Sequence, residues 1–320
     1  MRSLLILYSV LVFTLGCQRA SDKVIGVVPK GAGHVFWLTV KAGAEKAASE
    51  SGYTVEWNAP TLEVDSSRQK DIIDSMITRR LAGIALAPVD RKALAGTVDR
   101  GTAAGIPMAV FDSDVDTLNR LTYVATDNRA GGRLAARRMG EILKGKGKVA
   151  VIGFMPGSAS TMDREEGFRE EILATFPGIQ IVVMTYGMAD RAKSMAVTEN
   201  ALTAHPDLAG VFADNESSAA GALQAIKGRQ AKQVKFIAFD ANEQFVADLR
   251  AGWIDSLVLQ DPYRMGYDSV KAITTKLSGG IPAPRADLPA TLVTLANLDS
   301  PEIPPQILPA FQRQLTQATH

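Results

Sequence analysis

Lys23-Val24-Ile25-Gly26-Val27-Val28, followed by Pro29-Lys30-Gly31-Ala32-Gly33 and then His34-Val35-Phe36-Trp37, is the stretch from which the fold can be read. The first segment is short and apolar and reads as a buried strand. The second carries a proline and two glycines and reads as a turn. Beyond it Val35, Leu38, Ala42 and Ala47 recur at helical spacing through Ser49. A strand that passes through a tight loop into a helix puts that loop at the strand's carboxyl end. In open parallel α/β sheets, ligands sit there. Phe36 and Trp37 open the helix side by side. Adjacent residues point in different directions on a helix, so both cannot enter one core, and at least one should face the crevice.

The cadence continues. Thr54 to Asn58, Gly83 to Ala87 and Met108 to Phe111 read as strands, separated by helical patterns over Asp65 to Arg80 and Ala93 to Ala104. After Leu121 to Ala125 the rhythm restarts with a helix from Asn128 to Leu143. Strands at Lys148 to Gly153, Ile179 to Met184, Gly210 to Ala213 and Val234 to Phe239 then alternate with helices at Thr161 to Phe176, Asp190 to His205 and Ser217 to Gly228. Ser256 to Leu259, a helix from Met265 to Leu277, and a strand from Ala290 to Leu295 close the pattern, and Ser300 to Pro309 reads as an extended strap. Alternation of this kind gives parallel sheets covered on both faces. The fold class expected is α/β: two Rossmann-like lobes joined by a three-crossing hinge, with a ligand cleft between them. Short crossings near Ala125-Thr126, Leu259-Gln260 and Thr291 to Val293 assign residues 24–125 and 261–291 to an N-terminal lobe. Residues 126–260 and 292–320 then form a C-terminal lobe with the Pro-rich tail.

At 320 residues and 46% hydrophobic content the chain can bury a substantial core. Lys and Arg number 35 against 34 Asp and Glu, and no basic run interleaves with aromatics, which argues against a nucleic-acid partner. Arg2 precedes an apolar run from Leu4 to Leu15 that is too short to span a bilayer and has the flanks of a signal peptide. Gly16 stands before Cys17, the one cysteine, as at a lipoprotein processing site, so residues 1–16 read as a lipoprotein-type signal and Cys17 as the lipidated residue. Thr14 departs from that pattern, and an ordinary secretory signal is the alternative; either sends the chain out of the cytoplasm. With one cysteine no disulfide can form within the chain.

Asp112, Asp214-Asn215 and Asp240 each follow an apolar strand, so their side chains should converge on one crevice. Carboxylates there accept paired hydrogen bonds from vicinal hydroxyls, and Asn both donates and accepts. Each could instead cap a helix. Arg164, early in a helix, suits a bidentate contact to hydroxyls or a carboxylate, the alternative being a surface ion pair with Glu165 or Glu166. Of three histidines only His34 falls in the expected cleft, and there is no metal-ligand spacing, nucleophile motif or phosphate loop. No enzyme, metal or cofactor is therefore expected.

Taken together, these residues resemble the periplasmic sugar-binding proteins of the ribose, allose and galactose type, which share their core with LacI-type repressors. The resemblance runs from Lys23 to Leu295. It is carried by Phe36-Trp37 before Lys41-Ala42-Gly43-Ala44, Phe111-Asp112, Thr126-Asp127-Asn128 with Gly131-Gly132, Arg164 with Gly167-Phe168, Phe212 to Asn215, Phe239-Asp240, and Gln260. It implies that Phe36 and Trp37 stack on a pyranose, and that Asp112, Arg164, Asn215, Asp240 and Gln260 bond its hydroxyls. Lys30 matches a lysine of allose-type members. The sequence departs at His34, where ribose-type members carry Asn, and at Ala87, Ser113 and Ala189. A sugar other than ribose, or a polyol, is consistent with those changes. The resemblance further implies a monomeric receptor for an ABC permease in the periplasm or cell envelope, held to the membrane through Cys17. The alternative is a ligand-presenting sensor for a membrane chemoreceptor or kinase.

Overall fold

The computed structural model describes residues 23–32, 35–301 and 303. His34, Cys17 with the signal segment expected before it, and most of the Pro-rich tail lie outside the described residues.

The apolar run expected as the first strand is β1 (Val24–Val28). It reads as a continuous run because both its faces are covered. Ile25 and Val27 pack with Trp37, Val40 and Ala44 of α1 (Val35–Glu50), whereas Val28 packs with Ile72, Ile73 and Met76 of α2 (Ser66–Thr78). β2 (Thr54–Trp57), β3 (Gly83–Leu86), α3 (Ala95–Ala103), β4 (Met108–Phe111) and β5 (Thr122–Thr126) complete the first half. The second half runs α4 (Asn128–Ile142), β6 (Lys146–Gly153), α5 (Ala159–Thr175), β7 (Gly178–Tyr186), α6 (Arg191–Ala204), β8 (Leu208–Ala213), α7 (Glu216–Gly228) and β9 (Lys235–Phe239). It continues through α8 (Glu243–Arg250), β10 (Ser256–Leu259), α9 (Pro262–Leu277), β11 (Arg285–Leu288) and β12 (Thr291–Thr294).

These strands make two six-stranded sheets with the same internal order, β2-β1-β3-β4-β5-β11 and β7-β6-β8-β9-β10-β12. All pairs are parallel except β10 with β12. Each half is a doubly wound sheet whose crevice lies at the carboxyl ends of the strands. The chain passes between sheets three times. Thr126 ends β5 in the first sheet, Gln260 leaves β10 in the second, and residues 289–290 lead from β11 to Thr291, which opens β12. α9 packs on α1 and on β3, β4 and β5, so it belongs with the first sheet although it follows the second in sequence.

Helix pairs approach closely where glycines face one another. A Cβ on Gly132 of α4 would lie 2.0 Å from the carbonyl oxygen of Arg164, and one on Gly167 of α5 would lie 2.1 Å from that of Arg129. Backbone meets backbone here, so neither helix can take a side chain without moving. This contact fixes where α5 presents Arg164. Gly167→Ala should therefore lower stability by about 1–3 kcal/mol through overpacking. Urea unfolding checks it, and a change within error would show that the two helices slide apart freely.

Candidate functional site

The carboxyl ends of the two sheets face each other across a cleft of about 410 Å³. Its first wall comes from Lys30 after β1, from Phe36 and Trp37 at the start of α1, from Thr61, Leu62 and Glu63 in the loop after β2, and from Asp112 after β4. Its second wall comes from Phe154 after β6, from Ser160, Thr161 and Arg164 of α5, from Asn215 after β8 and from Asp240 after β9; Gln260 sits on a crossing. Asp112 and Asp240 occupy equivalent places in the two halves. Both have left-handed backbone, φ 61° and 66°, a conformation Asp tolerates better than most residues. Each backbone N–H still reaches the neighbouring strand, Asp112 to Val124 at 3.0 Å and Asp240 to Val258 at 2.9 Å, so the kink turns the side chain without breaking the ladder.

Arg164 is the centre of the second wall. It is only 2% exposed, and its three nitrogens are all directed. Nε donates to Asn128 Oδ1, Nη1 to the Asp214 carbonyl and Nη2 to Gln260 Oε1, each at 2.8 Å. The guanidinium lies 3.9 Å from the Phe239 ring centroid, a cation–π contact. Its acceptors are neutral, so the alternative of a surface ion pair with Glu165 or Glu166 does not occur. Gln260 passes the connection on: Nε2 donates to Asp240 Oδ1 at 2.7 Å, and Oε1 also accepts from Thr126 at 2.8 Å. Asp240 Oδ2 accepts the Glu216 N–H at 3.2 Å.

Lys30 crosses the cleft floor. Its Nζ is 2.8 Å from Asp112 Oδ2 and bonds Ser113 at 2.6 Å, all within the first half. It also reaches Ser158 at 3.2 Å and Ser160 at 3.3 Å in the second half. The side chains of Lys30 and Asp112 are each 5% exposed, so this pair exists with water almost excluded. Removing one partner of such a pair leaves a buried charge and costs several kcal/mol. Nearby, the Arg91 N–H donates to the Gly157 carbonyl at 3.0 Å, a second tie between the halves.

Trp37 corrects the sequence reading of the aromatic pair. Both rings line the cleft, but both also pack on the same cluster beneath it, with Trp37 only 4% exposed. They meet edge to face, centroids 4.8 Å apart at 88°, and this geometry lets neighbouring residues share one core. The indole N–H is bonded to Glu63 Oε1 at 2.7 Å.

Lys30, Phe36, Trp37, Asp112, Arg164, Asn215, Asp240 and Gln260, all singled out from sequence, come together in the one cleft; His34 lies outside the described residues. Asn215 is also the N-cap of α7, its Oδ1 accepting the Ser218 N–H, so cap and cleft roles coincide. Asp214 differs from its two strand-end counterparts: it is fully buried behind the wall and does not line the cleft. Its Oδ2 accepts the Phe154 N–H, and its other oxygen faces Glu165. Glu165 Oε1 and Asp214 Oδ1 have no N–H or hydroxyl donor, as two carboxyl groups sharing a proton require. Burial pushes Asp214 well above the usual carboxylate range, with the Glu165 charge adding to it, and burial raises Glu165 as well. Residues that sequence reasoning missed are Glu63, Phe154, Ser160, Arg191 and Glu216. Arg191 pairs with Glu216 at 2.8 Å, and Asn242 donates to the same carboxylate at 2.7 Å. Phe154 had a signal, standing one residue past a strand end; the others sit in loops or first turns without a pattern.

The family model that describes the periplasmic binding protein domain matches residues 25–281. The chain belongs to the periplasmic binding protein family. It is 30% identical over 255 residues to the ribose import binding protein of Bacillus subtilis, covering 80% of this chain and 82% of that one. With the D-ribose/D-allose-binding protein of Pseudomonas aeruginosa it shares 29% identity over 283 residues, 84% and 88% of the two chains. Among solved structures, the carbohydrate transporter solute-binding protein of Agrobacterium radiobacter in complex with D-arabinose superposes with a TM-score of 0.86 at 32% identity, covering 89% of this chain and 98% of that one. A solute-binding protein of Agrobacterium vitis with bound D-fucose gives 0.86 at 31% identity, covering 89% and 99%. This periplasmic binding protein therefore has the two-lobed architecture of its relatives, with its polar and aromatic side chains turned into the gap.

The Glu165–Asp214 pair makes a pH prediction. Carboxyls raised in the folded state stabilise it below the ordinary carboxylate range, near pH 4, and that contribution is lost as pH rises through the raised values. Asp214→Asn keeps the hydrogen bond without the shared proton. Its unfolding free energy should gain on the native protein's as pH rises from the ordinary carboxylate range toward neutrality, by up to about 1.4 kcal/mol per pH unit for each proton. A difference that stays constant over that range contradicts the shared proton.

Proposed function

We propose that this binding protein is the extracytoplasmic solute receptor of an ABC importer, that it takes a monosaccharide or related polyol, and that a lipid on Cys17 holds it to the membrane as a monomer. The observation that carries the ligand class is the composition of the cleft: two aromatic rings and Asp112 on one wall face Arg164, Asn215 and Asp240 on the other. Asp112, Asn215 and Asp240 offer acceptors, Arg164 and Gln260 are oriented by buried partners, and the cleft is at the small end of the usual range for small-molecule sites, roughly 300–1,000 Å³. A pyranose or furanose has an apolar face for the rings and polar edges for the rest. The ABC importer and the location outside the cytoplasm are supported by the family and by relatives named as import binding proteins. The lipid anchor rests on Gly16-Cys17 after the apolar leader.

Binding draws the lobes together because the ligand touches both. The ties from Lys30 to Ser158 and Ser160 already join the halves within the protein itself, so part of the closed state's stability is built in. Lys30→Met removes the cation and leaves Asp112 buried against Ser113.

Calorimetry on ligand-free protein with D-ribose, D-allose, D-galactose, D-arabinose, D-fucose and a polyol tests the reading. Saturable binding to at least one is expected, with Arg164→Ala weakening it by about 1–3 kcal/mol because bonded groups lose their partner. Trp37→Ala should weaken binding and also cost about 3–5 kcal/mol of stability, since the ring is in the core. No binding to any of these by folded protein contradicts the proposal.

A further inference from the structure

The charges that line the cleft do not all pair off. Lys30 closes on Asp112 and Arg191 on Glu216, both at 2.8 Å. Arg164 directs its nitrogens to Asn128, the Asp214 carbonyl and Gln260. Asp190 accepts the Lys193 N–H, and Asp240 accepts from Gln260 and the Glu216 N–H, whereas Glu63 lies at the rim, in the loop between β2 and α2. Its place is built: a Cβ on Gly31 would come 2.6 Å from its Cγ, so the side chain lies directly over that glycine. Trp37 Nε1 holds its Oε1 at 2.7 Å. Its Oε2 has no protein donor, and Glu63 has no ion-pair partner, among the described residues. The rings of Trp37 and Phe36 line the cleft beside it.

We infer that Glu63 with these two rings forms an ammonium-receiving corner, so that the cleft prefers a polyhydroxylated ring bearing a protonated amino group and rejects one bearing a carboxylate. This rests on the sugar or polyol reading and narrows it. The physical reason is what closure does to Glu63. A half-buried carboxylate losing water beside apolar rings needs a compensating donor. A hydroxyl supplies one hydrogen bond. An ammonium supplies a charge-assisted bond and is attracted by the carboxylate's charge, more strongly as water leaves the site. A ligand carboxylate would meet a like charge in a site shielded from water.

The test compares dissociation constants of the full protein for D-glucosamine against D-glucose, D-galactosamine against D-galactose, and D-glucuronate and D-galacturonate against the same neutral sugars. At neutral pH and low salt, the amino member of at least one pair should bind about tenfold or more tightly, and the uronates about tenfold or more weakly. Glu63→Gln should bring the amine-to-neutral ratio to within about threefold of unity. Leu62→Lys, at a position 63% exposed on the same rim, should do the same by giving Glu63 an internal cation without disturbing the core. If the neutral sugars bind but the amines gain nothing, or if the preference survives both substitutions, the ammonium corner is wrong while the sugar-receptor reading stands. If none of these ligands nor the neutral panel binds, both fall.

Discussion

A guanidinium that is almost wholly buried must have its donors directed, because each unpaired N–H in a water-poor site costs free energy. Arg164 meets that demand with an amide oxygen from the start of α4, a carbonyl at the end of β8, an amide oxygen on a crossing strand and a phenyl ring beneath. Those partners come from four separate stretches of the second half and its hinge. Anything that displaced one of them would reorient the cation and, through Gln260, Asp240 as well. The close backbone approach at Gly132 and Gly167 is part of the same constraint, since it sets the height at which α5 presents the arginine. The second wall of the cleft is thus one connected unit.

The first wall is organised differently. Lys30 and Asp112 neutralise each other, and the lysine also reaches across to two serines of α5 and its approach. An ion pair this dry is weak evidence for stability but effective in fixing one arrangement, because both partners must be present and aligned. Bringing the two halves together completes the coordination of Lys30. Ser113 adds to that coordination, its hydroxyl accepting from Lys30 at 2.6 Å and donating to Asp112 at 3.2 Å.

Much of this was legible in the sequence because the signals were local. Apolar runs ending in Asp or Asn marked strand ends, and strand ends in a doubly wound sheet point at one crevice, so Asp112, Asn215 and Asp240 could be placed without coordinates. β11 was not legible: Arg285-Ala286-Asp287-Leu288 is an edge strand with charged side chains and has no apolar run. α8 is a single short helix of 8 residues after the Asn242 cap, too brief for its periodicity to stand out. Asp214 looked like its strand-end neighbours, and only packing shows that it turns inward to Glu165 instead of outward. Helix geometry set Phe36 and Trp37 on different sides, which overlooked that two adjacent rings can pack edge to face on one cluster. Glu63 belongs to a loop, and nothing local told that Gly31 and Trp37, far away in sequence, would hold it at the rim.

The central claim is that the aromatic pair and the Arg164–Gln260–Asp240 unit hold one small hydroxylated ligand between them. A crystal structure of the protein saturated with the tightest-binding sugar tests this most directly. The account predicts the ring lying against Phe36 or Trp37, with hydroxyls within hydrogen-bonding distance of Arg164, Asp240 and Asp112. A sugar bound elsewhere on the surface, with the cleft closed over nothing but protein side chains, would contradict it.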